Sequence, residues 1–342
     1  MIEDFKLLQR LCDAYGISGD EVRVKDIILN EIAPFVDDVK VDNLGNIIAF
    51  KKGLKVPRQK LMISAHMDEV GFIVTNVTDD GLLKFDTVGG IDSNVICGKS
   101  VVVGDKQVPG VIGVKPVHLL GADERQKSLS IDNLYIDIGA SDKEEALLYV
   151  SLGDSVCFSS NFKTENNMVK SKAIDDRVGC FVLISLIKQE LPFDMYFTFV
   201  VQEEIGLRGS KVASFDVNPD AAIVVEATTA ADIKGTPLEK QVCKVGEGAV
   251  IAFMDRSTIY DKNFYNLALK LADENNIKVQ VKSLVAGGND AGAIHSTRAG
   301  VKTIAVSLPC RYLHTACGMI CIDDLWETQK LVQKLADEIC SK

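Results

Sequence analysis

Carboxylates stand at the ends of several apolar segments, where side chains of a folded α/β protein can act on a ligand. Glu203 and Glu204 come shortly after MYFTFVV, Glu226 lies near the end of AAIVVEA, and Asp175 and Asp176 precede a helical pattern. Neighbouring side chains on a strand diverge, so adjacent glutamates can do different jobs, one ligating a metal and one handling a proton. For the aspartate pair, a carboxylate that bridges two cations and an acidic helix start both remain open.

The chain has four histidines, and two of them lie close to the ends of strand-like runs. KLMISAH ends on His66, and His314 follows TIAVSLP after a few residues. Asp68, two residues beyond His66, can point the same way and orient the imidazole ring. Oxygen and imidazole donors suit zinc, cobalt or manganese, so together with the carboxylates they predict a dinuclear metal site. We expect structural or peripheral roles for His118 and His295.

Other motifs limit the chemistry that this chain could perform. Nine cysteines form no CxxC pair and the start MIEDFKLLQRL does not resemble a signal peptide, which together predict reduced thiols and a cytoplasmic location. Cys310, Cys317 and Cys321 surround His314, but their spacing matches no structural zinc pattern, so we expect buried thiols. The sequence contains no HExxH, GxSxG or Walker motif.

The elements that must position these residues alternate between helix and strand on both sides of a β-rich segment. Residues 70–164 consist mainly of short Val/Ile-rich runs separated by glycine-containing turns, a pattern typical of a small barrel or sandwich. The simplest prediction is an α/β domain, built from residues 1–69 and 165–342, that is interrupted by an inserted β domain.

Finer patterns predict individual elements of the α/β part. Ser18 and Glu21 resemble a capping box that opens a second helix, and a hairpin is expected to turn at residues 43–45. AAIVVEA, AVIAFMD and TIAVSLP are predicted strands, each of buried type. Further helices are predicted after Asp176, at about residues 262–274 and at about 323–339.

Length and composition exclude several classes of protein. At 342 residues the chain is long enough for two domains, and its 47% apolar and 25% charged residues are those of a globular protein. A net charge of −10 argues against a nucleic-acid partner, because phosphates would be repelled. No apolar run reaches the roughly 18 residues of a membrane-spanning helix, so no membrane association is expected.

Six motifs occur in an order that is found in one family: HMDEVGF, AIDDR, QEEIGLRG, a carboxylate after AIVV, GGNDAGAI and RYLH. Over essentially its whole length the chain resembles the cytosolic glutamyl or tetrahedral (TET) aminopeptidases, some of which carry an endoglucanase label. The resemblance implies a mixed-sheet metallopeptidase domain interrupted by an all-β domain that mediates dimerisation. It also implies homo-oligomers, in which dimers assemble into a hollow tetrahedral dodecamer.

The resemblance further implies roles for individual residues. It makes Glu203 the general acid and base, and Asp68 the residue that supports His66. Two divalent ions per subunit, zinc or cobalt ahead of manganese, would hold a water that hydrolyses the N-terminal bond of short peptides with a free N-terminus. The implied metal ligands, with Asp175 bridging both ions, are His66, Asp175, Glu204, Glu226 and His314.

Some positions depart from the family pattern, and alternative functions stay open. Many members have aspartate where Glu226 stands, HTACGM replaces a run with proline or glutamate, and GGNDA has asparagine in place of threonine. The alternatives are a related dinuclear amide hydrolase, such as a carboxypeptidase or deacylase, and a non-catalytic assembly protein. The last would have damaged ligand positions, and none is damaged here. The preferred N-terminal residue is not predicted.

Overall fold

A computed structural model describes residues 2–116, 118, 129–159 and 162–342 of the chain. Helices and strands are each numbered in chain order. Within the described residues, none of the helices combines the length and apolar character that crossing a membrane requires. The helices are α1 (Ile2–Asp13), α2 (Val22–Ile32), α3 (Lys143–Tyr149), α4 (Ile174–Ile187), α5 (Arg208–Val217), α6 (Lys262–Glu274), α7 (Ala291–Ile294) and α8 (Ile322–Ser341).

An eight-stranded mixed sheet forms the centre of the α/β part. Four neighbouring strands are parallel, so their carboxyl ends meet at one edge of the sheet, where ligands of α/β proteins bind. In spatial order the strands are β1 (Asp38–Val41), β2 (Ile47–Lys51), β12 (Met195–Val200), β3 (Leu61–His66), β13 (Ala221–Thr229), β16 (Lys302–Cys310), β14 (Ala249–Ile251) and β15 (Val279–Val281). The four parallel neighbours are β12, β3, β13 and β16.

The sequences of the central elements explain their burial. All six residues of β3 are buried, as expected for a parallel strand that is covered on both faces. Helix α4 is apolar almost all round because it packs between the sheet and the helices α1, α2 and α8. This packing fixes the ends of β3 and α4, which carry predicted site residues.

Six antiparallel strands close into a barrel that the chain inserts between β3 and α4. Phe72 lies at its centre and makes edge-on contacts with Phe85 and Phe158, at centroid distances of 5.0 and 5.3 Å. Around the barrel the strands are β4 (Gly71–Val77), β5 (Leu83–Val88), β8 (Leu134–Asp137), β7 (Val108–Val114), β6 (Ser100–Val103) and β9 (Ser155–Phe158). The predicted fold class, a mixed α/β sheet with a small barrel-like insertion, is confirmed.

A small third sheet leads the chain from the barrel back to the α/β part. It consists of β10 (Lys163–Glu165), β11 (Met168–Ser171) and β17 (Gly318–Cys321), all antiparallel. The first two precede α4, whereas β17 follows the loop that contains His314. The sheet therefore joins two segments that carry predicted ligands.

Several local predictions were wrong. The predicted capping box does not form, because Ser18 Oγ donates to Asp68 and α2 starts after Glu21 without a side-chain cap. Strand β13 continues to Thr229, so Glu226 lies within the strand rather than at its end. Only three residues of AVIAFMD form a strand, β14. Helix α3 was not predicted, because most of its apolar side chains are exposed and give no buried stripe.

Candidate active site

The seven predicted site residues come together at the carboxyl edge of the central sheet. His66 is the last residue of β3, and Asp68 follows two residues later. Glu203 and Glu204 follow β12, which lies beside β3. The other three side chains reach the same place from the start of α4, from β13 and from the loop after β16, and they belong to Asp175, Glu226 and His314.

The carboxylate of Asp175 faces both histidines. Its Oδ1 atom lies 3.1 Å from Nε2 of His66, and its Oδ2 atom lies 3.5 Å from Nε2 of His314. Burial alone would raise the pKa of Asp175, but the two imidazoles hold it below its ordinary value. One carboxylate is thus shared between two imidazoles.

Each histidine also faces a glutamate, so two groups of donors share Asp175. Nε2 of His66 is 3.4 Å from Oε1 of Glu226, and Nε2 of His314 is 3.3 Å from Oε2 of Glu204. The donor atoms of each group lie within 4.8 Å of one another, close enough to surround one ion. His66 also forms a group of this kind with Glu203 and Glu204.

The hydrogen bond made by Nδ1 of each histidine indicates that this nitrogen carries hydrogen. Nδ1 of His66 is 3.1 Å from the carbonyl oxygen of Asp68, and Nδ1 of His314 is 2.8 Å from that of Gly90. A carbonyl can only accept a hydrogen bond, so both Nδ1 atoms carry hydrogen. Both Nε2 atoms face the carboxylates, and each would serve as a ligand once a cation displaces the proton that it carries.

The site brings several buried carboxyl groups together, and some of their oxygens lack hydrogen-bond partners within the described part of the chain. Oε1 of Glu204 and Oε2 of Glu226 are buried and have no hydrogen-bond partner among the described residues. Burial raises the pKa of both carboxyl groups to about 8, and it raises that of Glu203 well above its ordinary value. Divalent cations would pair these oxygens and offset the repulsion between the carboxylates. The donor set therefore fits the implied metal ions.

The adjacent aspartates point in different directions. Asp176 is fully buried, and its carboxylate accepts hydrogen bonds from the backbone amides of Gly179 at 3.0 Å and His66 at 3.3 Å. It belongs to none of the donor groups formed by the described residues. Asp176 thus braces the backbone of α4 and β3, while Asp175 faces the histidines.

Several loops around the site contain strained backbone. Ala173, Gln202, Tyr312 and His314 all have φ between 53° and 60°, in the left-handed region that non-glycine residues rarely adopt. Each such residue costs about 1–3 kcal/mol, and strain of this kind persists where surrounding contacts enforce it. The loops that carry Asp175, Glu203 and His314 are therefore held in one conformation by their surroundings.

Comparison with known proteins identifies the family. Residues 45–331, most of the chain, match the M42 glutamyl aminopeptidase family. The chain belongs to this family. As an M42 peptidase it is a hydrolase that acts on peptides. A protein of Acetivibrio thermocellus, provisionally named an aminopeptidase, is 40% identical over 339 residues, which are 98% of each chain.

Solved structures agree with the M42 assignment and with the predicted TET resemblance. A TET aminopeptidase from a marine sediment Thaumarchaeota archaeon matches with a TM-score of 0.95 and 35% identity, covering 99% of this chain and 97% of that one. The TET1 peptidase of Pyrococcus horikoshii can assemble into a tetrahedron or a large octahedral shell. It matches with a TM-score of 0.85 and 34% identity, covering 98% and 99% of the two chains.

Sequence patterns missed several residues of this M42 site. Ser18 and Gly90 contact Asp68 and His314 directly, but their nearest sequence signals were a capping box and a glycine-containing turn. Asp290 is fully buried near the site, and burial raises its pKa to about 6. The GGNDA motif contains Asp290, and this motif was the signal that could have drawn attention to it.

The remaining histidines and cysteines lie outside the donor groups. Nδ1 of His295 donates to the carbonyl oxygen of Ala291 at 2.9 Å, a local helical contact, and His118 is exposed. All nine cysteines are free thiols, and no donor group of the described residues includes a cysteine. The cytoplasmic location stays a prediction.

Proposed function

We propose that this chain is a metal-dependent aminopeptidase with a dinuclear centre. The observation that carries the proposal is the placement of Asp175, whose two oxygens face Nε2 of His66 and Nε2 of His314. A carboxylate in this position suits a bridge between two cations. One ion would be held by His66, Asp175 and Glu226, and the other by Asp175, Glu204 and His314. Zinc, cobalt and manganese all accept such donors.

When bound, two divalent cations would polarise the scissile carbonyl and make a nearby water acidic enough to attack it near neutral pH. The protein has to supply the proton acceptor. Glu203 is suited to this role because burial raises its pKa well above the ordinary value of a glutamate. Its carboxylate would take a proton from the attacking water and deliver it to the leaving amine.

Restriction to the N-terminal residue is a further part of the proposal. The excess of buried carboxylates suits a substrate that brings a positive charge, such as the free ammonium group of a peptide. A deacylase, in contrast, would accept a blocked amine. The family assignment and the name of the TET aminopeptidase that this chain resembles support the aminopeptidase.

The preferred N-terminal residue is proposed to be acidic. Most of the site residues line a cavity of about 480 Å³, and Lys282 is the only lysine or arginine among its described lining residues. Lys282 is half-buried, and its Nζ atom donates to the carbonyl oxygen of Ala286 at 2.8 Å. An ammonium group has three donors, so two remain for a carboxylate. Short peptides that begin with glutamate or aspartate are therefore the proposed substrates.

We also propose that residues 70–164 form a domain through which subunits associate. Exposed apolar side chains cluster on α3 and the turn after it, where Leu148 is 69% and Leu152 is 60% exposed. Patches of this kind mark interaction surfaces. The tetrahedron that the TET1 peptidase of P. horikoshii can form supports a tetrahedral assembly for this chain, which we propose is a dodecamer built from dimers.

The deciding experiment removes metal with a chelator and restores zinc, cobalt and manganese separately. Each form is then assayed on aminoacyl nitroanilides, on free peptides and on N-acetylated peptides. We expect activity to return with metal and to require a free amine. Cleavage of acetylated peptides would favour the deacylase, release of the C-terminal residue the carboxypeptidase, and no hydrolysis at all the assembly protein.

A further inference from the structure

Four consecutive backbone amides, in residues 201–204, each donate a hydrogen bond to a side-chain oxygen from another element. We call this stretch the glutamate segment, because it contains both predicted catalytic-site glutamates. The bonds run from Val201 to Asn46 Oδ1 (2.9 Å), from Gln202 to Glu21 Oε1 (3.2 Å), from Glu203 to Asp68 Oδ1 (3.0 Å) and from Glu204 to Asp68 Oδ2 (3.1 Å).

The side chains of Asn46, Glu21 and Asp68 accept the hydrogen bonds that a neighbouring strand would otherwise accept. Strand β12 ends at Val200, so the next amides have no place in the sheet ladder. Leaving an amide unpaired in a buried or half-buried place destabilises the fold, which makes its acceptor a strong constraint on position. The acceptors themselves are buried, with 0% of Asp68, 0% of Asn46 and 6% of Glu21 exposed.

A second layer of contacts fixes the acceptors. Ser18 Oγ donates to Oδ2 of Asp68 at 2.6 Å, and the amide of Gly19 donates to Oε1 of Glu21 at 2.7 Å. Nδ2 of Asn46 donates to the carbonyl oxygen of Gly209 at 3.1 Å. The loop between α1 and α2 thus reaches the glutamate segment twice, through Ser18 and Asp68 and through Glu21.

We infer that Ser18, Glu21 and Asn46 are positioning residues for the two glutamates, acting through Asp68 and the backbone of the glutamate segment. The carboxylate of Asp68 accepts hydrogen bonds from the amides of both glutamates, and Asp68 also contacts its neighbour His66. The inference rests on the proposed function for its catalytic consequence, but the positioning itself is a property of the fold. A displacement of about 1 Å at a reacting group can lower a rate by about 10²-fold.

The test compares variants that remove one contact with variants that keep it. Glu21→Leu removes the acceptor of the Gln202 amide, whereas Glu21→Gln keeps an oxygen there. Ser18→Ala removes the hydroxyl that donates to Asp68, whereas Ser18→Thr keeps it. Ser214→Ala is the matched control, because Ser214 is a fully buried serine whose hydroxyl hydrogen-bonds to Thr297.

Hydrogen exchange of the glutamate segment is measured alongside kinetics. We expect Glu21→Leu and Ser18→Ala to speed exchange in residues 201–204 but not in β13. We expect kcat to fall about tenfold or more while KM changes less than about threefold, because the loss lies in the transition state. Glu21→Gln, Ser18→Thr and Ser214→Ala should behave like the unaltered protein.

Unchanged local exchange in Glu21→Leu and Ser18→Ala would overturn the inference. Faster exchange throughout the protein, with no recovery in Glu21→Gln and Ser18→Thr, would also overturn it, since the residues would then be merely structural. If the unaltered, metal-loaded protein cleaves no peptide, the proposed function fails instead. The exchange experiment then decides the positioning alone.

Discussion

The Nδ1 atom of His314 donates a hydrogen bond to the carbonyl oxygen of Gly90 over a distance of 2.8 Å. Gly90 follows strand β5 of the inserted barrel, whereas His314 follows β16 of the central sheet. This bond directs Nε2 of His314 toward Asp175 and Glu204. The barrel therefore helps to orient a proposed metal ligand, apart from any part that it has in assembly.

Replacing residues 72–160 with a short linker is expected to reduce both assembly size and metal binding. The deletion removes Gly90 together with the exposed apolar residues of the barrel. A double variant, Leu148→Lys with Leu152→Lys, keeps Gly90 and should form smaller assemblies with normal metal content. Light scattering and metal analysis measure the two effects. An unchanged number of subunits per assembly in both variants would contradict the assembly role.

His66→Ala and His314→Ala are each expected to lose about one equivalent of metal and nearly all activity, because each histidine serves one ion of the proposed pair. Metal content is measured after equilibration with limited zinc, and circular dichroism checks that the fold persists. Full metal content in both variants would remove the assignment of these ligands.

The adjacent glutamates should respond differently to the same substitution. Glu203→Gln keeps the side-chain volume and is expected to bind both metals while kcat falls by ~10²–10⁴, the usual contribution of a positioned general base. Glu204→Gln should lower metal affinity as well as activity. Reversed metal contents would exchange the two roles, and normal turnover by Glu203→Gln with both metals bound would contradict the mechanism.

Lys282→Met tests the preference for an acidic N-terminal residue. A charge-assisted hydrogen bond contributes about 1.5–3 kcal/mol, so kcat/KM for glutamyl substrates should fall about 10–100-fold relative to leucyl substrates. Lys270→Met is the control, because Lys270 is an exposed residue of α6 that pairs with Glu274. If the ratio of kcat/KM for glutamyl to leucyl substrates is the same before and after the change, Lys282 does not select the substrate.

Metal affinity should rise with pH between about 6 and 9. Burial alone would lower the pKa of His314, but Asp175 and Glu204 raise it to about 9, and burial raises the pKa of Glu204 and Glu226 to about 8. Below these values the groups carry protons that a cation must displace. Release of one proton per cation makes affinity rise about tenfold per pH unit.

Calorimetric titration of the metal-free protein with zinc measures this proton release directly. The heat is recorded in buffers of different ionisation enthalpy at one pH, and the difference gives the number of protons released. Affinity that does not change between pH 6 and 9 would show that the ligands are already deprotonated in the metal-free protein.

Patterns along the sequence were sufficient to predict the fold class and to single out eight candidate residues for the site, with the choice between Asp175 and Asp176 left open. An apolar strand that ends on His66 and one that is followed by Glu203 and Glu204 are local features, set by the burial of parallel strands. Because parallel neighbours end at one edge, such residues are expected to meet once the strand order is known. The ordered motifs added the family and hence the expected roles.

Only the tertiary structure decided which groups touch. Ser18 and Glu21 have the spacing of a capping box, yet Ser18 donates a hydrogen bond to Asp68, and Glu21 accepts one from the amide of Gln202. Both partners lie far away in the sequence. The choice of Asp175 over Asp176 as the carboxylate facing both histidines depends on the backbone at the start of α4. Nothing in the turn around Gly90 indicates a partner for His314. Hydrogen bonds of this kind depend on distances between separate elements, and a local sequence pattern does not contain those distances.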